Sequence, residues 1–371
     1  MENFAGADLH KRVTQLAVLR DGQPPSQFRF PNDPNTVHGV LKKLPRGTKI
    51  AVEATGSWWW FVEKAREMGH EVCLSHPKQT NAIAHARLKS DKVDAVMLAR
   101  LLKADFLPTV WIPGERERYV RELLAHRARL GRTRTAVINE LHAVYAKRNI
   151  EVAGMIWHRI RPVPWRAEEL SGYAPRIVSE NAELLKLINQ QIQNLDKELA
   201  KAGQEDPQAK RLMTIPGVGV ATGVAVSCWI GDIRRFPSAK KLVSYFGIAP
   251  KVRQSANRET HGHISKEGSG MVRWLILQAA LVGIRMSKGP GRGQYLGVSR
   301  RRGKKIARIA VARKLLGTIY HMMKEEIDYE EFVRRGSNAQ RARRWRWSIV
   351  TDELIGQLRL LSLEREKPPE E

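Results

Sequence analysis

The feature that most constrains the fold is a run of short apolar segments between Phe4 and Ser75. Phe4 to Leu9, Val13 to Leu19 and Gln27 to Phe30 read as three strands, with Asp21-Gly22 and the following prolines as a turn between the second and third. A helix is expected from Asn35 to Leu44, a buried strand from Lys49 to Ala54, a helix from Ser57 to Met68 closed by Gly69, and a strand from Glu71 to Ser75. Two more helices follow, one from about Pro77 and one from Ser90 to Lys103, with Ser90 as the N-cap of the second. Three strands in a row, then alternating helix and strand, bury their apolar faces as a layered α/β domain whose first strands form a meander in a mixed sheet.

The rest of the chain is helical by pattern. Residues 116–148 form a basic helix, with a break expected at Gly131; Leu123, Leu124, Leu130, Val137, Ile138, Leu141 and Val144 mark its apolar side. Arg121, Arg127, Arg129, Arg132 and Arg134 load much of the remainder, which suits either a solvated face or a helix that tracks phosphates. Residues 158–178, with Pro162, Pro164 and Pro175, read as irregular. Leu185, Ile188, Ile192, Leu195 and Leu199 then alternate steps of three and four, a coiled-coil seam with a slight preference for a role between protomers. Gly203 ends it and Asp206-Pro207 opens a linker. The expected organisation is α/β plus α: a catalytic domain with trailing basic helices over 1–156, a linker and coiled-coil helix over 157–205, a mostly helical domain over 206–326, and a basic aromatic tail over 327–371 that includes Arg341 to Trp347.

Charge narrows the function. Lys and Arg number 64 against 38 Asp and Glu, a formal charge of +26, which points to a polyanionic partner. A membrane is disfavoured, because no long apolar span or secretory leader is present. The two cysteines, Cys73 and Cys228, lie in apolar runs and suit a reducing cytoplasm rather than a disulfide framework or a zinc site. The histidines form no close ligand pattern; His261 and His263 are read as ordinary polar residues.

Within this basic chain, four acidic residues stand out. Asp8 ends the first strand and Glu53 ends a later strand expected to lie beside it. Asp91 and Asp94 are one turn apart on one face of a helix. Any one of them alone is ordinary for a strand end or a helix start. Brought together they would repel one another unless cations compensated, and hard oxygen ligands of this kind select Mg²⁺ or Mn²⁺. Two such ions can serve phosphoryl transfer. The element order is also close to that of the ribonuclease H-like nucleases.

The second half adds phosphate-directed features. Ile215-Pro216-Gly217-Val218-Gly219 joins two helical stretches as in a helix-hairpin-helix module, where Gly217 and Gly219 would let backbone N–H groups approach a phosphate; a plain helix turn is the alternative. After Gly247-Ile248-Ala249-Pro250 comes a polar, basic loop, Lys251 to Ser265, with Arg253, Ser255, Asn257 and Arg258, and Lys266 at its exit. Read alone, Ser255 is one of several loop serines in cationic surroundings. Arg301, Arg302, Lys304 and Lys305 form a basic stretch suited to a nucleic-acid backbone.

Taken in order, these motifs resemble the DEDD transposases of the insertion sequence 110 family, including its 1111 group. Gly6-Ala7-Asp8-Leu9-His10-Lys11, Glu53-Ala54-Thr55-Gly56 and Lys89-Ser90-Asp91-Lys92-Val93-Asp94-Ala95 resemble that family's first-half motifs. Ile215 to Gly219, Phe236-Pro237-Ser238, Gly247 to Pro250 and Ile264-Ser265-Lys266-Glu267-Gly268 resemble its second-half motifs, so the likeness spans roughly residues 3–325. The resemblance implies a RuvC-like first domain with Asp8, Glu53, Asp91 and Asp94 as Mg²⁺ or Mn²⁺ ligands. It implies Ser255, five residues after Pro250, as a nucleophile that links covalently to DNA. It further implies donor and target DNA as substrates, a structured guide (bridge) RNA, a dimer of dimers, and a cytoplasmic, nucleoid-associated location. Two positions depart from the family pattern: Ala256 stands where Gly is usual, and Ser269 where Asn is usual. The expected activity is RNA-guided DNA transposition, with Arg127, Arg129, Arg134, Gly217, Gly219, Arg253, Arg258, Lys266, Arg301, Arg302, Lys304 and Lys305 holding nucleic acid. The alternatives are a structure-specific nuclease that uses water and a decayed nucleic-acid-binding protein.

Overall fold

The computed structural model describes residues 3–56, 58–83, 91–151, 169–255, 258–286 and 291–336, with the backbone alone at 92, 252–255 and 258–261. The expected helix start Ser57, the expected N-cap Ser90 and the basic aromatic tail at 341–347 lie outside the described residues. The chain divides into two compact units, one ending at Pro113 and one beginning at Gly114.

The first unit is a six-stranded mixed sheet. Its strands are β1 (Phe4–Leu9), β2 (Val13–Leu19), β3 (Ser26–Pro31), β4 (Lys49–Glu53), β5 (Glu71–Ser75) and a two-residue β6 (Thr109–Val110), in the order β3-β2-β1-β4-β5-β6. β1, β4 and β5 run parallel, while the meander β1-β2-β3 and the edge strand β6 are antiparallel. β6 was not among the expected strands, since two residues carry no periodicity. Helix α1 (Pro34–Lys42) starts at the N-cap Asp33, whose carboxylate accepts from Thr36 N–H at 2.9 Å. With α2 (Trp58–Glu67) it covers one sheet face, where Ala5, Ala7, Leu16, Ile50 and Val52 meet Val37, Leu41, Phe61 and Ala65.

The other face carries α4 (Asp91–Lys103), reached through α3 (Pro77–Ile83). Strand register explains how α4 fits. Gly6 pairs with Ala17 on β2 and Ala51 on β4, and Ala51 pairs with Cys73 on β5. These residues make a row of small side chains across four strands, all on one face because strand side chains alternate. A Cβ on Gly6 would lie 2.1 Å from the Ala95 carbonyl oxygen and 2.6 Å from Ala99 N. Gly6 is therefore where the backbone of α4 rests directly on the sheet, with Ala95, Leu98 and Ala99 buried around it.

The second unit opens with α5 (Glu115–Ala146), unbroken at Gly131, and α6 (Ala174–Glu205). The basic helix grouped above with the first domain packs here, with Val120 and Leu124 inside the core of the second unit. α5 and α6 run antiparallel: Leu124 and Leu199 share one core, while Val137, Leu141, Val144 and Tyr145 meet Val178 and Ile188, with Leu185 and Ile192 against them. The seam preferred above for contact between protomers is thus occupied by α5 of the same chain. The expected irregular stretch also ends early, because Pro175 sits in the first turn of α6, where a missing N–H costs nothing.

The expected linker at Asp206-Pro207 is instead a tight junction. Asp206 is buried and caps α7 (Pro207–Met213) by accepting from Gln208 N–H at 2.9 Å and Ala209 N–H at 3.2 Å. Its second oxygen accepts from the Ser227 hydroxyl on α8 (Val220–Ile230) at 2.7 Å. Helix α9 (Ala239–Tyr245) leads to a hairpin of β7 (Pro250–Ser255) and β8 (Arg258–Ile264). The basic loop expected over 251–265 is therefore a two-stranded ribbon, which the sequence hides because Val252 and Ile264 are its only aliphatic residues. Helices α10 (Gly270–Arg285), α11 (Arg292–Arg302) and α12 (Lys304–Glu325) follow, and residues 329–336 are helical again, with Tyr329 and Phe332 packed against the core.

Candidate active site

Asp8 and Glu53 hold equivalent positions on adjacent parallel strands. Ala7 pairs with Val52, and each acidic residue is the next along its strand, so both carboxylates rise at one level on the α4 face. Asp91 and Asp94 enter from above, because Gly6 seats α4 at Ala95, one residue beyond Asp94. All four line one open cleft of about 440 Å³, together with His10, Thr55, Thr80 and Asn81. Asp8 is 8% exposed, whereas the Asp91 side chain is about half exposed at 52%.

His10 is the residue the sequence reasoning missed. Its Nε2 lies 3.1 Å from Asp8 Oδ2 and 3.2 Å from Asp91 Oδ2. The ligand atoms of Asp8, His10 and Asp91 all lie within 4.8 Å of one another. The available signal was the spacing: positions two apart at a strand end lean to one side of the sheet. Counting histidines for a histidine–cysteine pattern does not detect one histidine beside aspartates distant in sequence. Thr55 and Thr80 also escaped notice; their hydroxyls are buried at the cleft without a hydrogen-bond partner among the described residues.

Burial pushes the Asp8 carboxyl above its ordinary range; nearby His10 opposes this, and Asp91 and Asp94 reinforce it. Burial and the neighbouring Asp91 and Asp94 thus disfavour the ionised form of Asp8. Its donors, carboxylate oxygens with one imidazole nitrogen, fit a hard divalent cation.

The expected nucleic-acid residues fare differently. Arg127 pairs with Asp196 of α6, donating from its second nitrogen at 3.0 Å, and Arg134 donates to Asn189 Oδ1 at 2.7 Å. Both tie α5 to α6. Arg121 likewise turns inward, donating to the Cys228 carbonyl at 2.8 Å with its guanidinium 4.6 Å from the Trp229 ring centre. Arg129 is exposed, beside His126. Gly217 has φ +98°, and a Cβ there would lie 2.6 Å from the Ala279 carbonyl oxygen, so its smallness serves helix packing first. Gly219 is the open N-cap of α8. Lys266 is exposed past β8, and Arg301, Arg302, Lys304 and Lys305 are exposed around the α11–α12 junction. The side chains of Arg253, Ser255 and Arg258 lie outside the described residues; Ser255 ends β7, paired in backbone register with Arg258.

Comparison with known proteins supplies the family. Residues 209–296 match the model described as Transposase IS116/IS110/IS902 family, and residues 5–147 match the DEDD model for IS110 elements, described as Transposase. A probable family 20 transposase of Pseudomonas aeruginosa is 25% identical over 87% of this chain and 94% of its own length. The transposase for insertion sequence element IS1111A of Coxiella burnetii is 26% identical over 87% of this chain and 90% of its own. A pilin gene-inverting protein of Moraxella bovis is 26% identical over 76% of this chain and 82% of its own. No helix among the described residues is long and apolar enough to cross a membrane. The chain belongs to the IS116/IS110/IS902 family of DNA transposases and recombinases.

Proposed function

We propose that this chain is an RNA-guided recombinase that cuts and rejoins donor and target DNA with Ser255 as nucleophile and Asp8, Glu53, Asp91 and Asp94 as divalent-metal ligands. The observation that carries the reading is the convergence of the four acidic residues in one cleft of the first unit. The strand order β3-β2-β1-β4-β5 with carboxylates on the central strands supports a ribonuclease H-like, RuvC-type domain. Mg²⁺ or Mn²⁺ bound there would neutralise charge on the scissile phosphate. Asp8 and Glu53 would fix the site from the sheet, and Asp91 and Asp94 from α4. His10, whose Nε2 lies beside Asp8 and Asp91, would join them at the ion.

In the cleavage step the Ser255 oxygen bonds to phosphorus while the bridging P–O bond to the next nucleotide breaks. The serine proton leaves to a base or solvent, and the departing oxygen gains a proton. Rejoining reverses this when a strand hydroxyl attacks the phosphoserine, so no high-energy cofactor is consumed. Two relatives are named for inverting a pilin gene, a DNA rearrangement of this class. The formal charge of +26 suits a complex that holds both DNA and a structured RNA. A dimer of dimers, with the carboxylates of one protomer serving the serine of another, completes the proposal.

The test is recombination of donor and target plasmids by the wild type, Asp8→Ala and Ser255→Ala, with protein–DNA adducts trapped on denaturing gels. Both variants are expected to be inactive, and Ser255→Ala to form no adduct. An active serine variant, or cleavage without an adduct, would replace Ser255 by water and make the enzyme a nuclease. Sequencing of co-purified RNA is expected to recover transcript from the flank of the gene itself; RNA from elsewhere alone would remove the guided mechanism.

A further inference from the structure

We propose that the hollow between α10, α11 and α12 binds one unstacked nucleotide of a single-stranded nucleic acid. Arg285, Arg292 and Arg308 would take its phosphate, and Tyr295 with Leu281 and Leu296 would receive its base. This rests on the reading of the chain as a nucleic-acid enzyme and adds a site outside the carboxylate cleft.

Charge is the first support. Residues 268–324 contain no Asp or Glu across 57 positions, yet hold 13 Lys and Arg. The nearest carboxylate along α12 is Glu325, 17 residues from Arg308 and thus about 25 Å away along the helix axis. Three guanidinium groups facing one hollow, with no carboxylate among its described lining residues, repel one another, an arrangement that favours a bound anion. Arg292 spends one donor on the Ile284 carbonyl at 3.4 Å, and a guanidinium carries five.

Shape is the second. The hollow measures about 390 Å³, within the roughly 300–1,000 Å³ typical of pockets for small organic groups. Its lining is apolar as well as cationic: Leu281 and Ile284 from α10, and Tyr295 and Leu296 from α11. Leu296 is 44% exposed beside the arginines, while Tyr295 packs against the core of the unit, which fixes its position. A duplex presents phosphates with its bases stacked inside, and would engage the arginines while leaving the apolar lining empty. A single strand supplies both a phosphate and a free base. DNA and RNA share that chemistry, so the two sources are separated by the test.

The full-length protein is titrated against fluorescein-labelled single-stranded DNA, single-stranded RNA and duplex DNA of one sequence, with anisotropy read over a series of salt concentrations. The variants are Arg285→Gln/Arg292→Gln/Arg308→Gln and Tyr295→Leu. The triple variant is expected to lose about tenfold or more in affinity for at least one single strand and to lower the salt slope by about 0.7, the contribution of the one phosphate that the three arginines share on a single strand. Tyr295→Leu is expected to weaken the same strand about tenfold with little change in slope. The strand affected, DNA or RNA, identifies the source. If the triple variant does not fold, Arg308→Gln, exposed on α12, carries the test through a smaller loss of affinity for the same strand. Folded variants with unchanged affinity and slope, or an equal loss on single strands and duplex, would overturn the pocket. Recombination that persists in Asp8→Asn, alongside single-strand loss in the pocket variants, would refute the carboxylate reading and leave the pocket standing.

Discussion

Gly6→Ala tests the architecture of the cleft without touching a polar group. The added Cβ would stand 2.1 Å from the Ala95 carbonyl oxygen, 2.6 Å from Ala99 N and 2.9 Å from Leu98 Cβ. Two of these three neighbours are backbone atoms, so no side-chain rotation relieves the clash. To reach the roughly 3.3–3.6 Å of an ordinary carbon–oxygen contact, α4 must lift from β1 by more than about 1 Å. Overpacking of this kind costs about 1–3 kcal/mol. The lift also carries Asp94 and Asp91 away from Asp8 and Glu53, and a misplacement of about 1 Å in a catalytic constellation costs on the order of 100-fold in rate. Gly131→Ala is the control: it lies within α5 with nothing within 4 Å of the added Cβ, and is expected to stabilise by about 0.5–1 kcal/mol. Thermal denaturation and plasmid recombination are measured on both. Wild-type stability and activity in Gly6→Ala would refute the claim that the seat of α4 on Gly6 sets the cleft.

Further outcomes follow from the same geometry. Asp8→Asn removes a buried charge whose folded pKa is raised, so without metal the variant is expected to outlast the wild type to heat at neutral pH. The raised pKa means that ionised Asp8 opposes folding; the gap should close as pH falls through its folded pKa, and a gap independent of pH would contradict the assignment. His10→Ala is expected to weaken binding of Mn²⁺, which accepts imidazole, more than that of Mg²⁺, by about tenfold in the ratio, as read by calorimetry of the full chain. Arg127→Ala is expected to destabilise the α5–α6 pair by about 0.5–1 kcal/mol in urea and to leave the salt slope of DNA binding unchanged; a lowered slope would restore its phosphate role. Burial pushes the Cys228 thiol up to about 12, so alkylation at pH 8 should reach it only after unfolding; labelling of the native protein would place it at the surface.

The sheet was legible because its strands differ in burial along the chain, and because Asp8 and Glu53 end strands whose apolar runs are short and well bounded by turns. The hairpin β7–β8 was not, since a two-stranded ribbon with polar residues on both sides has no alternation to read. The partners of the seam were hidden for another reason. A three-four spacing records that a helix has an apolar stripe and not which helix fills it, and here Val137, Leu141 and Val144 of the same chain do so. Arginine count is silent on a related point: Arg121, Arg127 and Arg134 contribute to net charge, and their guanidinium groups also donate to Cys228, Asp196 and Asn189 within the unit.

The four acidic residues were recognised as a pattern of types; what brings them together is a pattern of sizes. Asp8 and Glu53 would stand level on any parallel pair in this register, but Asp91 and Asp94 reach them only if a helix backbone comes down onto the strands. Ala17, Gly6, Ala51 and Cys73 make that possible by forming one small-residue row across four strands, two residues before the carboxylate row on β1 and β4. In the linear sequence these four positions are unrelated, and only strand register aligns them. Gly6 thus belongs to the site as firmly as the four acidic residues do, since its missing Cβ lets α4 bring Asp91 and Asp94 to Asp8. That close packing also withdraws Asp8 from water and raises its pKa, so the contact that assembles the cluster also creates its need for a cation.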